Sequence, residues 1–119
     1  MKVEILRGDP IVVRAEGEID YGSSDELQEA VDTAVRESPK GFVIDLSGVF
    51  FIGSLGLQAV LGAYHRVVET GGRMAVVVVH SNAKAIFCVL NMDKLPNFFI
   101  CDSMEAAERV FSAPEQAEE

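Results

Sequence analysis

Apolar residues recur along this chain with two different periods, and the change of period marks the elements. Residues 2–7 (KVEILR) and 11–16 (IVVRAE) are β-prone, and Gly8-Asp9-Pro10 between them is turn chemistry. The pair predicts an opening hairpin. The period then lengthens: Leu27, Ala30, Val31, Ala34 and Val35 fall on one face at 3.6 residues per turn. Ser23 followed by Glu26 forms an S-x-x-E capping box, so a helix is predicted to start there. Ser38-Pro39-Lys40-Gly41 ends it.

Phe42 to Leu46 (FVIDL) reads as a short strand, and Ser47-Gly48 as a break. Leu57, Val60, Leu61, Tyr64, Val67 and Val68 then follow the i, i+3, i+4, i+7 rule, which predicts an amphipathic helix beginning near Ser54. Gly62 lies inside it at a cost of about 1 kcal/mol relative to Ala. Close approach of the helix to its sheet is the expected compensation. Thr70-Gly71-Gly72 stops the helix, and Met74 to Val79 (MAVVVV) lacks alternation, as in a central parallel strand covered on both faces. Ser81 is the expected cap of a short helix to about Leu90, and Phe98 to Cys101 a last strand. Asp102 with Glu105 predicts the cap of a final helix that turns Ala106, Val110 and Phe111 inward. The order β-β-α-β-α-β-α-β-α demands right-handed crossovers. The expected fold is α/β, a mixed sheet with a parallel centre and helices packed on it. One domain over residues 1–112 and an acidic tail over 113–119 (APEQAEE) complete the expectation.

Charge narrows the partners. Ten basic residues face nineteen acidic ones in 119, a net charge of −9. Direct nucleic-acid binding is disfavoured, because neutralising phosphates needs clustered Lys and Arg. An anionic membrane surface is disfavoured for the same reason. The segment MKVEILRGDP is too short and too charged to read as a signal peptide, and no stretch approaches the roughly 20 apolar residues of a spanning helix. Cys88 and Cys101 sit among apolar neighbours and are read as buried thiols in a reducing compartment. A protein partner with a basic or mixed face remains open.

Catalytic patterns do not assemble. His65 and His80 are fifteen residues apart and lack a second ligand at recognisable spacing. G-x-G-x-x-G, G-x-x-x-x-G-K-[ST] and G-x-S-x-G are all absent. No metal and no cofactor is expected. What stands out is a single hydroxyl, Ser54, between Gly53 and Gly56 at a helix start. Two readings of it stay open. It caps the helix, which is typically worth about 1 kcal/mol. Or it is where a charge is added and removed, because a helix N-terminus tolerates an anion. A phosphate there would bring about −1.5 to −2 charges.

Several motifs in register resemble the STAS domain family, and within it the bacterial anti-sigma factor antagonists. They are Gly17-Glu18-Ile19-Asp20, Val43-Ile44-Asp45-Leu46-Ser47-Gly48-Val49, Phe51-Ile52-Gly53-Ser54-Leu55-Gly56-Leu57, Leu61-Gly62-Ala63-Tyr64 and Gly71-Gly72-Arg73-Met74. The similarity runs from about residue 3 to residue 111. The family's central motif is Asp-Ser-[Ser/Thr]-Gly-[Leu/Ile], whose first Ser is phosphorylated; by position that is Ser54. Gly53 stands where the family has Asp, and Leu55 where it has Ser or Thr. Losing the carboxylate removes a group that could orient the hydroxyl or help the kinase place it, and losing the second hydroxyl makes the surface more apolar.

The resemblance implies a cytoplasmic partner-switching regulator that is itself no enzyme. When unphosphorylated it would bind an anti-sigma factor, a serine kinase of the histidine-kinase-like ATPase fold, and so free a sigma factor. Phosphorylation of Ser54 would release it, and a PP2C-type phosphatase would reset it. The implied partner-binding residues are Asp20, Tyr21, Gly53, Ser54, Leu55 and Gly56. The alternative is a non-phosphorylated STAS scaffold, a subunit of a larger complex such as a lipid-transport ATPase, in which Ser54 is only a cap.

Overall fold

Five strands and four helices alternate in the predicted order in a computed structural model, which describes residues 2–8, 10–18, 24–37 and 40–112. They are β1 (Lys2–Leu6), β2 (Ile11–Glu16), α1 (Ser24–Val35), β3 (Gly41–Gly48), α2 (Ser54–Glu69), β4 (Arg73–Val77), α3 (Ser81–Val89), β5 (Phe98–Cys101) and α4 (Met104–Ser112). A 3-10 turn, Met92–Lys94, precedes β5. The sheet order is β1-β2-β3-β4-β5. β1 runs antiparallel to β2, and every other pairing is parallel.

Strand alternation divides the sheet into two faces. Ile11, Val13, Phe42, Ile44, Leu46, Met74 and Val76 point to one, where α1, α2 and α3 cover them with Leu27, Val31, Ala59, Val60, Ala63, Val67 and Phe87. Val12, Val43, Ala75, Val77 and Cys101 point to the other, where α4 lays Ala107 against them. β4 is thus buried on both faces, as its unbroken apolar run requires. α4 leaves part of its face to polar residues. There the register sets Glu4 opposite Arg14 and Arg14 opposite Asp45. Arg14 Nε donates to Asp45 Oδ2 at 3.1 Å, and its guanidinium lies 3.7 Å from Glu4. Asp45 is only 2% exposed, the one charged residue in the core among the described residues.

Six expectations are corrected. β3 does not break at Ser47-Gly48 but runs through them to Gly48. The buried stripe of α2 is Gly56, Ala59, Val60, Ala63, Tyr64 and Val67, with Leu57 and Val68 at its margin and Leu61 facing out. The small residues let the helix lie close to α1, to which Arg66 adds a 2.9 Å bond to Asp32. Gly62 does not mark a close approach, because a Cβ built there meets nothing within 4 Å. Gly62→Ala should therefore raise stability by about 0.5–1 kcal/mol through helix propensity. A lower melting temperature would contradict the open space seen around it.

The other corrections concern caps and thiols. Ser81 is the first residue of α3, not its cap; His80 takes that position without a side-chain bond. At α4 the cap is Ser103, whose Oγ accepts from the Ala106 N–H at 3.1 Å, while Asp102 instead pairs with Lys84 at 2.7 Å. That hydrogen bond pushes the Lys84 ammonium above its ordinary pKa. Cys101 is buried as expected, and burial pushes its thiol up. Cys88 is exposed, because α3 turns Ala83 and Phe87 to the sheet and Cys88 lies one position past Phe87. The predicted cap at Ser23 and the acidic tail lie outside the described residues. One glycine is placed by contact: a Cβ on Gly41 would sit 2.9 Å from the Phe111 ring and 3.0 Å from Pro10.

Candidate functional site

Asp45 organises the chain that leads out of the sheet. Its Oδ1 accepts the Ser47 N–H at 3.0 Å, and the Val49 N–H returns to the Leu46 carbonyl at 2.9 Å. Val49 and Ile52 are buried, so they pin the connecting segment to the core. Phe50 and Phe51 between them point outward and are about half exposed. The segment emerges at the carboxyl ends of the parallel strands, the edge where open α/β sheets place their sites.

Gly53 is the N-cap of α2, with φ −87° and ψ 178°, and its carbonyl accepts the Leu57 N–H at 3.0 Å. That backbone is ordinary extended chain, open to any residue. Among the described residues no side chain caps the helix, and no acid stands in its first turn. Ser54 is the first helical residue, exposed, and makes no cap bond. The capping role expected for it is not observed. Its hydroxyl stands at the positive end of a 16-residue helix whose leading N–H groups have no side-chain partner among the described residues.

Of the sequence-expected site residues, Ser54 and Leu55 are exposed and Gly53 is half-buried. Gly56 is buried on the core side of the helix start. Asp20 and Tyr21 lie outside the described residues. The sequence did not single out the apolar surround. Phe50, Phe51, Leu55, Leu61, Val79, Val89 and Leu90 are all exposed. Phe50 meets the His80 ring edge-on at 6.1 Å. Ser54, Leu57, Gln58, Leu61, Leu90 and Met92 line one groove of about 220 Å3. Leu57 and Leu61 were legible as apolar positions on a helix, but nothing local marked Leu90 and Met92 as their neighbours. An exposed apolar surface of this kind marks a contact site.

Among the described residues, no three His, Cys, Asp or Glu side chains gather in a metal-binding group. None of the described helices is long and apolar enough to cross a membrane.

Comparison with known proteins agrees with this geometry. A family model described as "STAS domain" matches residues 2–107. An anti-sigma F factor antagonist of Paenibacillus polymyxa is 35% identical over 71 residues, which cover 59% of this chain and 61% of that protein. The anti-sigma-F factor antagonist RsfB of Mycobacterium tuberculosis is 34% identical over 83 residues, 70% of this chain and 67% of that protein. The crystal structure of an anti-sigma factor antagonist from Mycobacterium paratuberculosis superposes with a TM-score of 0.83 at 27% identity, covering 94% of each chain.

Proposed function

The chain belongs to the STAS domain family, and from that premise we propose that it is an anti-sigma factor antagonist switched by phosphorylation of Ser54. The observation that carries this is the position of Ser54: exposed, uncapped, at a helix N-terminus and bordered by apolar side chains. Unmodified, the surface suits a dry contact with an anti-sigma factor that is also a serine kinase of the histidine-kinase-like ATPase fold. In the kinase complex Ser54 Oγ attacks the γ-phosphorus of ATP. An O–P bond forms, the bond to the ADP oxygen breaks, and the hydroxyl proton passes to a base of the kinase. The product carries about −1.5 to −2 charges where the partner docked.

Two physical consequences follow in opposite directions. The helix N-terminus accepts the phosphate, because unpaired N–H groups and the dipole favour negative charge. The docked partner does not, because a dianion against apolar atoms loses its water without gaining a counter-charge. Release then needs no unfolding. A PP2C-type phosphatase restores the hydroxyl, and the protein acts in the cytoplasm as a binding component and no enzyme. The scaffold alternative finds no support in the names of these relatives.

The test is incubation with ATP and each serine kinase of that fold encoded in the same genome, followed by intact mass. The expected result is an increment of one phosphate with one such kinase, absent in Ser54→Ala. No increment with any of them, in an assay where a known antagonist is modified by its own kinase, overturns the proposal. So does an increment that survives in Ser54→Ala.

A further inference from the structure

The groove beside Ser54 is built to take a side chain. Its floor is Met92, 5% exposed, with the half-buried Leu57. Its walls are Leu61 and Leu90, 37% and 54% exposed. Leu90 is turned outward where the chain reverses at Asn91, which takes the left-handed conformation at φ 59° and lets Met92 go in. Among the described residues the polar members of the lining, Ser54 and Gln58, are uncharged.

Resting on the partner-switching reading, we infer that this groove receives an apolar side chain of the anti-sigma factor, set in a basic surround, and that Ser54 at its lip controls the seat. Size, polarity and charge each select this occupant. At about 220 Å3 the groove falls below the range of about 300–1,000 Å3 typical of small-molecule sites. It suits an anchor residue, which contributes most when sealed in an apolar pocket at the centre of an interface. The net charge of −9 favours a partner whose rim is basic. A second copy of this chain would bring the same −9 and be repelled. The chain's own residues 113–119 (APEQAEE) offer no large apolar side chain and three acids. Phosphate on Ser54 would hold water at the lip, and seating the anchor would then strip that water from a dianion.

The test uses the purified kinase that modifies Ser54, with ADP so that no phosphate is transferred. Calorimetry compares wild type, the double variant Leu61→Ser/Leu90→Ser and the control Leu6→Ser. Leu6 is 39% exposed on β1, so the control removes a leucine of similar exposure from outside the groove. Leu61 and Leu90 are themselves exposed, and a thermal melt confirms that the double variant folds. The expected result is a loss of about a hundredfold in affinity for the double variant, at most about twofold for the control, and weaker wild-type binding as salt rises. In methyl spectra the Leu61, Leu90 and Met92 signals shift on binding and that of Leu6 does not.

Wild-type affinity in the double variant, with Ser54 still phosphorylated, overturns the groove and leaves the proposed function standing. A wild-type chain that no such kinase binds or modifies overturns both. Sedimentation showing a dimer that the double variant loses would assign the groove to a second copy and overturn the inference.

Discussion

Ser54→Asp is expected to weaken binding to the anti-sigma factor by about a hundredfold or more, and Ser54→Ala by no more than about threefold. The Ala variant loses an exposed hydroxyl that makes no cap bond, so little is removed. The Asp variant puts a carboxylate at the lip of an uncharged groove and beside the exposed Leu55. Desolvating one unpaired carboxylate costs several kcal/mol, and each 1.4 kcal/mol is about tenfold. Asp carries less charge than phosphate, so it sets a lower bound on the effect of modification. The fold responds the other way. An acid in the first turn of α2, where none stands now, gains about 0.3–1 kcal/mol from the helix dipole. The melting temperature of Ser54→Asp should hold or rise while its affinity collapses. Equal affinities of the two variants by calorimetry would refute the charge mechanism, and a melting temperature that falls with the affinity would mean damage to the fold.

Arg14→Met should cost about 3 kcal/mol of stability, and most of that should return when Asp45→Asn is added. Arg14 is 38% exposed and its partner Asp45 only 2%. Removing the guanidinium leaves a buried carboxylate whose other bond is to the Ser47 N–H. An uncompensated buried charge is what makes a broken buried pair expensive, typically about 3–5 kcal/mol. The lower figure applies here because Arg14 already shares its charge with water and lies near Glu4. Asn at position 45 is neutral and keeps an oxygen for the Ser47 N–H, so the double variant should come within about 1.5 kcal/mol of wild type. Urea unfolding measures all three. A single variant as stable as wild type would show that the buried carboxylate does not need this partner. Because Asp45 also holds the chain that leaves β3 toward Ser54, the single variant should bind its partner less tightly even where it stays folded.

How far the sequence reached depends on which forces are local. The start of α2 at Ser54 was legible because a small hydroxyl residue between two glycines opens the 3.6 period there. The centre of the buried face of α2, Val60, Tyr64 and Val67, was legible, but which flank joins it was not. Leu57 and Leu61 are one turn apart, and so are Ala59 and Ala63, and period alone cannot say which pair faces the sheet. The small pair is buried because α2 packs closely, which leaves Leu57 at the margin of the core and Leu61 exposed. The parallel centre and the antiparallel opening pair followed from the unbroken apolar run of β4 and the turn before β2, while the side-by-side order of the strands came from the structure. Caps were misplaced by one residue at α3 and α4, since His80, Ser81, Asp102 and Ser103 all stand next to plausible starts and only geometry selects among them. The groove was beyond reach, because it joins 54–61 to 90–92 through the packing of α2 against the chain after α3. Family resemblance pointed to Ser54 but said nothing of Leu90 or Met92.

Val49 and Ile52 are sunk in the core while Phe50 and Phe51 stand outside it, so the span before Ser54 is held fast at two points. Under the proposed phosphorylation of Ser54, a switch on so firm a base would store its state in a covalent bond and not in a shape. How long the signal persists would then be set by the lifetime of one phosphoester, and so by the relative abundance of the enzyme that writes it and the enzyme that erases it.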